Sequence, residues 1–371
     1  MVIAEDKWYS FDGVDQVDTP ALVIYPERVM QNIKHLIAMM PSVDLLRPHV
    51  KTNKSINASK LMLQHGIHKF KCATIAEAEM LGMCLAKDVL LAYQPVLAKL
   101  KRLVKLIGAY PETKFSCLVD NIETAVMISA YAREKETSIS VYIDLNVGMN
   151  RTGIKPEQAF DLYVQLLNMP GITLLGLHAY DGHINDVDLD TRAEHCNTAF
   201  ESVEKLREKI RQYGYDPLLI AGGSPTCVIH AKRQNVECSP GTFIFWDKGY
   251  HDNIPEQDFL FSALVLCRVV SMPDESKICI DLGHKAIASE NELQKRVYFL
   301  NAPHLKPVSH SEEHIVVEPG SGHSYKIGDL FYALPYHVCP TVALYNKAYT
   351  VQNNALDAQW PITARGREIN I

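Results

Sequence analysis

Lys51 ends a segment, Leu45-Leu46-Arg47-Pro48-His49-Val50-Lys51, whose polarity alternates with a period of two. In a strand, Leu45, Arg47, His49 and Lys51 share one face and Leu46, Pro48 and Val50 the other. Two cations and an imidazole turned toward a protein interior are costly without an anionic partner. A bound phosphate or carboxylate meets that requirement, and a lysine desolvated among cations is a better nucleophile toward an aldehyde. Lys54, past the end of the strand, is expected to face solvent. A second constellation is His337-Val-Cys339, two residues apart on what reads as a strand, so that both side chains point the same way. Imidazole with thiolate suits Zn²⁺, although geometry and availability select the ion. Two protein ligands are too few for a closed structural site and suit an open one with room for water and substrate.

These groups need elements to hold them. Short β-branched runs recur at Asp44–Lys51, Lys69–Ala73, Asp88–Tyr93, Lys114–Asp120, Ser140–Asn146, Ile172–Tyr180, Leu218–Gly223 and Val236–Trp246. Helical patterns lie between most of them, for example Ile75–Leu85, Pro95–Ala109, Asn121–Glu134 and Thr191–Tyr213. Eight such units predict an α/β fold, a (β/α)8 TIM barrel, over residues 20–254. No GxGxxG follows the first strand, which argues against an open dinucleotide-binding sheet. Lys51 then lies at a strand's C-terminal end, where barrel catalytic residues sit. Beyond 255 the runs are short and turn-bounded, for example Ile278–Leu282 and Thr341–Val351. Residues 1–19 and 255–371 are therefore expected to form a second, mostly antiparallel β-domain carrying the His337–Cys339 pair.

The chain has 371 residues with 37 Lys and Arg against 43 Asp and Glu, a net charge of −6, which argues against a nucleic-acid partner. It contains no apolar run long enough for a membrane span, and its N-terminus carries acids where a secretory signal needs an apolar core. Nine cysteines without a close CxxC pair predict free thiols in a reducing, cytoplasmic compartment.

Arg47-Pro-His-Val-Lys51-Thr-Asn-Lys54-Ser resembles the lysine segment of D-threonine aldolases and eukaryotic-type D-serine dehydratases, pyridoxal 5'-phosphate enzymes of fold type III built on an alanine racemase-like barrel. Further segments resemble that family in the same order: Asp144-Leu-Asn-Val-Gly-Met-Asn-Arg151-Thr-Gly153, Ala179-Tyr180-Asp-Gly182, Gly222-Gly-Ser224-Pro-Thr226, Ser311-Glu-Glu-His314 and Pro335-Tyr-His337-Val-Cys339-Pro-Thr341. The resemblance implies that Lys51 bonds to pyridoxal phosphate, that Arg151 faces its phenolic oxygen and that Tyr180 packs on its ring. It implies a phosphate cradle from Gly222, Gly223 and Ser224, with the backbone of Gly241 and Thr242. It also implies that His337 and Cys339 hold a catalytic divalent metal, Zn or Mn. Ser239 stands near the position that in alanine racemase gives an arginine to the pyridine nitrogen, and a serine cannot impose that charge.

The reaction implied is that of a lyase on β-hydroxy-D-amino acids. Cys339 resembles the dehydratase metal pair, whereas Tyr180-Asp-Gly-His183 resembles the aldolase segment and makes His183 a candidate acid–base group for the β-hydroxyl. The expectation is a D-threonine aldolase-like retro-aldol cleavage to glycine and an aldehyde, with D-serine dehydration to a 2-oxo acid and ammonia as the alternative. Amino-acid racemisation or non-catalytic cofactor binding stand behind these. Relatives of this type imply a homodimer with a small D-amino acid as its ligand.

Overall fold

The computed structural model describes residues 7–371, so that part of the expected β-domain in residues 1–6 lies outside the described residues. Seven parallel strands follow one another in space as in the chain: Lys69–Cys72, Asp88–Leu91, Lys114–Val119, Ile139–Leu145, Ile172–Ala179, Leu218–Ala221 and Val236–Cys238. Residues 46–50 bridge both edges of this sheet, Leu46 pairing with Cys238 and His49 with Lys71. The ring therefore closes through the segment expected to be its first strand, Asp44–Lys51. Pro48 has no N–H to donate, and the pairing is a set of bridges instead of a regular ladder. The start of the expected run, Asp44 and Leu45, lies in a 3-10 turn, Val43–Leu45, whose N–H at Asp44 is taken by the Ser42 hydroxyl. The expected Val236–Trp246 run stops as a strand at Cys238, and Thr242–Ile244 is a 3-10 turn.

Helices return the chain between strands, and polar caps start several of them. Thr74 accepts from the Glu77 N–H before Ile75–Met83, Asn121 from Thr124 before Ile122–Glu134, and Asp188 from Thr191 before Leu189–Gln212. Inside the ring, side chains stack in layers. At the N-terminal ends of the strands, Arg47 is fully buried and donates to Asp88 Oδ1 at 2.5 Å and Glu237 Oε2 at 2.6 Å. Arg47 thus has its counter-anions within the protein, which corrects the expectation that it needs a bound one. Above lies an apolar layer of Leu90, Leu118, Tyr142 and Ile220. The layer at the C-terminal ends is polar and carries the site.

The other unit is a mostly antiparallel sheet in the order Lys306–His310, Ile315–Glu318, Lys277–Ile280, Ala263–Asp274, Ala21–Ile24, Lys347–Gln352, Ala355–Pro361, with Val297–Phe299 and Leu330–Pro335 attached through Ala263–Asp274. Among the described strand pairs of this sheet, Ala21–Ile24 against Lys347–Gln352 runs parallel, and Asp12 adds a parallel bridge to Ala355. Phe11, Val23, Tyr25, Leu264, Leu266, Tyr332 and Leu334 pack its core. The chain divides so that the described residues up to Ile33, Thr52–Asn57 and Thr242–Arg365 form this unit, while Lys34–Lys51, Ala58–Gly241 and Gly366–Ile371 form the barrel unit. The division falls at neither 20 nor 254. Ala21–Ile24 is fully committed to the antiparallel sheet, and the Ser262 hydroxyl ties the Thr242–Ile244 turn to it by donating to the Ile244 carbonyl at 2.8 Å. Among the described residues no helix is long and apolar enough to cross a membrane.

Candidate active site

A cavity of about 300 Å³ opens at the C-terminal ends of the barrel strands, and Lys51, Lys71, Asp144, Arg151, His178 and Tyr180 are among its lining. Strand parity places them there. Lys71, Asp144 and His178 sit at inward positions of three strands, Tyr180 follows the end of one, and Lys51 follows the bridged segment. The face predicted from the alternation of residues 45–51 is the one that faces inward. The Lys51 N–H donates to His49 Nδ1 at 3.2 Å, which holds the turn that presents the lysine.

Three basic side chains surround one ring. Lys51 Nζ lies 5.8 Å, Lys71 Nζ 5.1 Å and Arg151 Cζ 5.4 Å from the Tyr180 ring centroid. Such contacts are weakly favourable each. They leave an excess of positive charge, because the carboxylate lining the cavity, Asp144, is bonded to His178 at 2.7 Å. Tyr180 reaches its place because residue 182 is a glycine: a Cβ there would lie 2.3 Å from the Tyr180 hydroxyl. Gly223 abuts the same ring, and its Cβ would come within 3.1 Å of it.

The expected phosphate turn is compact and buried. Gly222 takes a left-handed φ of +74°, which favours glycine. The Gly241 N–H donates to the Ser224 hydroxyl at 3.3 Å, so the two halves of the cradle meet. Beside it, the Ser239 hydroxyl is buried and has no hydrogen-bond partner among the described residues, although the Ser239 N–H bonds the Gly222 carbonyl. An orphan hydroxyl, a glycine turn and a cation-rich cavity fit an anionic cofactor of the pyridoxal phosphate type. Thr242 belongs to the other unit, where its hydroxyl lies 3.6 Å from Cys339 Sγ. His183 is exposed against Gly148 and is not part of the cavity lining.

Three groups that sequence patterning did not single out form a chain across the barrel. His178 Nδ1 bonds Asp144 Oδ1 at 2.7 Å, and His178 Nε2 bonds Lys71 Nζ at 2.7 Å. Burial, followed by the Lys51 charge, lowers the Lys71 amine to about 7. Burial and the Lys71 charge also lower His178. For Asp144 burial acts upward, but the His178 bond, the Thr152 hydroxyl and Lys71 hold it below the ordinary carboxylate range. The only signal in the sequence was polarity at inward positions of separate strands.

In the antiparallel unit, His337 and Cys339 lie at a helix start, not on a strand: His337 is the N-cap of Val338–Val342. Pro340 explains the correction, since it cannot continue a ladder but is tolerated in a first helical turn. The side chains still meet through a hydrogen bond. Burial acts to lower His337, yet Cys339, Glu290 and the Asp247 charge raise it to about 9. Burial acts to raise Cys339, while the His337 bond and charge and the Thr52 hydroxyl, 3.1 Å from Sγ, hold it down. Glu290 Oε1 takes His337 Nδ1, and buried Asp247 accepts the Val338 N–H at 3.0 Å. With the imidazole neutral and the thiol ionised, the His337 and Cys339 side chains, with a carboxylate behind the imidazole, fit the donor set of an open divalent-metal site. A separate group of potential ligands, Asp181, Cys196 and His230, is fully buried in the barrel and bonded internally, with Thr226 donating to Asp181 at 2.8 Å.

Residues 24–248 match the family described as "Alanine racemase, N-terminal domain", and residues 262–351 match the "Putative serine dehydratase domain". The chain is similar to the D-threonine aldolase of Arthrobacter sp., at 27% identity over 96% of this chain and 94% of that protein. It is similar to the 3-hydroxy-D-aspartate aldolase of Paracoccus denitrificans, at 24% over 96% and 94%. It also resembles the D-serine dehydratase of Dictyostelium discoideum, at 23% over 92% and 95%. Among solved structures, D-threonine aldolase from Filomicrobium marinum superposes with a TM-score of 0.87 at 24% identity, covering 96% of this chain and 97% of that one. A D-threo-3-hydroxyaspartate dehydratase superposes with a TM-score of 0.79 at 21% identity, over 93% of this chain and 97% of that one; its solved variants include a cysteine-to-alanine form that is metal-free and a histidine-to-alanine form two positions away. These likenesses show the fold.

Proposed function

The chain belongs to the alanine racemase N-terminal domain family, with a serine dehydratase-type domain following, and on that basis we propose that it is a pyridoxal phosphate- and divalent metal-dependent lyase of β-hydroxy-D-amino acids. The preferred reaction is D-threonine aldolase-like cleavage to glycine and an aldehyde. One observation carries the reading: a lysine, an arginine and a tyrosine ring share the mouth cavity of a barrel of this family.

Pyridoxal phosphate at Lys51 would supply an electron sink for negative charge at Cα. Lys51 holds or returns the Cα proton. Arg151 offers a permanently charged fork to the phenolic oxygen, and Tyr180 backs the ring. Gly222, Gly223, Ser224 and Gly241, with Thr242 as the remaining candidate, hold the phosphate. His337 and Cys339 would hold a divalent ion, Zn or Mn, which would supply Lewis-acid chemistry toward the β-oxygen. His183 is the candidate acid–base group from the exposed segment after Tyr180. We also propose that the protein acts in the cytoplasm as a homodimer, with a small D-amino acid as its ligand.

The test is a product assay on enzyme loaded with cofactor and metal, offered D-threonine and D-serine. Glycine and acetaldehyde from D-threonine support the reading, and 2-oxo acid with ammonia overturns it in favour of dehydration. The histidine–cysteine composition of the pair specifically favours that second reading, since a dehydratase relative has a histidine and a cysteine two positions apart. Neither product, with racemised substrate, would make the protein a racemase.

A further inference from the structure

We propose that Lys71 is a second proton-transfer residue of the barrel cavity, positioned by His178 and Asp144 and acting at the substrate's β-oxygen. The inference rests on the lyase reading above and deepens it.

Asp144 is an acceptor, so His178 Nδ1 carries a proton, and burial with the Lys71 charge disfavours a second proton on the ring, leaving Nε2 bare. Nε2 can then only accept, and Lys71 Nζ donates to it at 2.7 Å. Both nitrogens of His178 are spent in aiming the amine, which borders the cavity beside the Tyr180 ring. Asp144 and His178 are engaged with each other, and arginine does not release its proton. Burial pushes Tyr93, also in the lining, up to about 12. Lys51 serves Cα. The groups that bear on Lys71 are Lys51 and Arg151, which disfavour its ammonium, and Asp144 and Asp181, which favour it. With burial dominant, the amine reaches about 7 and is poised for acid–base work near neutral pH.

In cleavage, the neutral amine of Lys71 takes the β-hydroxyl proton. The O–H electron pair becomes the second bond of the aldehyde C=O, the Cα–Cβ pair stays with Cα, Lys51 gives a proton to Cα, and the proton taken up by Lys71 leaves to solvent while Lys51 is reprotonated from it. Substrate becomes glycine plus aldehyde with no oxidant or reductant.

The experiment compares wild type, Lys71→Met, His178→Asn and His183→Asn, each loaded with cofactor and metal. Two activities are followed: aldehyde release from D-threonine, and exchange of the glycine Cα proton in D2O, which has no β-oxygen. Lys71→Met should retain the cofactor's absorbance and glycine exchange within about threefold, while aldehyde release falls at least about 100-fold, the usual scale of a lost acid–base group. His178→Asn should move the acidic limb of the cleavage pH profile, and carbon-13 NMR of lysine-labelled protein should show a lysine titrating near neutrality that is missing in Lys71→Met. Cleavage kept within threefold in Lys71→Met overturns the inference, as does loss of exchange and cleavage by the same factor. Loss of cleavage in His183→Asn alone would move the role to His183. A wild type that forms neither aldehyde nor 2-oxo acid overturns the lyase reading itself.

Discussion

Replacing Arg47 by methionine separates a structural cation from those of the cavity. Its guanidinium is fully buried, donates to both Asp88 oxygens at 2.5 and 3.1 Å, and reaches Glu237 Oε2 at 2.6 Å. Breaking a buried ion network by removing one partner costs about 3–5 kcal/mol, because the other charge stays buried. Two features pull the value to the low end. Asp88 keeps 23% of its side chain exposed and can rehydrate, and Lys69 still holds Glu237 Oε1 at 2.5 Å. At about 3 kcal/mol, with about 2–4 °C per kcal/mol for a unit of this size, thermal unfolding of the barrel should fall by about 6–12 °C. A second change, Glu237→Leu on top of Arg47→Met, should recover part of that loss. Calorimetry reads the melting temperature, and cofactor titration reads the other half of the prediction. An apolar layer of Leu90, Leu118, Tyr142 and Ile220 separates Arg47 from the cavity, so cofactor affinity should stay within about threefold. A melting shift under 2 °C, or a tenfold loss of cofactor affinity with the fold intact, would refute the layered-interior argument.

Glu290→Gln should weaken divalent-metal affinity about tenfold, the lower end for an outer carboxylate on a ligating histidine, because Glu290 is half exposed; competition with a chelator measures it, and an unchanged affinity would remove Glu290 from the site. Gly182→Ala should displace the Tyr180 ring, since the added carbon would sit 2.3 Å from its hydroxyl, and weaken cofactor binding by roughly tenfold in an absorbance titration. Lys71→Met should raise the melting temperature of cofactor-free protein at pH 7. The folded amine is at about 7, below its unfolded value, so the unfolded chain binds the extra proton between those limits and wild-type stability rises with pH there. The advantage of the variant should therefore shrink toward pH 10, and an advantage independent of pH would show that packing, not charge, is responsible.

Much of the barrel was legible because strand and helix periods alternate along the chain, and the inward face of residues 45–51 followed from side-chain parity alone. What Arg47 does was not legible. Its partners Asp88 and Glu237 come from distant strands, and only closure of the ring brings them together. Lys71, Asp144 and His178 were hidden for the same reason, each an ordinary polar residue in its own segment. The pair at His337 and Cys339 was found by residue type, but its geometry was misread because the two-residue spacing suits a strand and a helix start equally until Pro340 is weighed. Ala21–Ile24 escaped notice because four consecutive apolar residues carry no alternation, and its partners are far away in the chain.

That last strand sets the order in which the molecule can be completed. Val23 pairs with Leu264 on one side and Tyr349 on the other, so Ala21–Ile24 has neither of these neighbours until the chain has been made past residue 262, and lacks the second until past residue 346. During synthesis the barrel's own strands emerge in the order in which they pair, while Ala21–Ile24 waits as an exposed apolar stretch with unpaired backbone. The sheet's long-range pairing is thus a late, slow event in folding. A ribosome stalled near residue 260 would carry a nascent chain with its barrel strands made and one sticky strand unsatisfied, the state in which a chaperone holding the N-terminal segment would matter most.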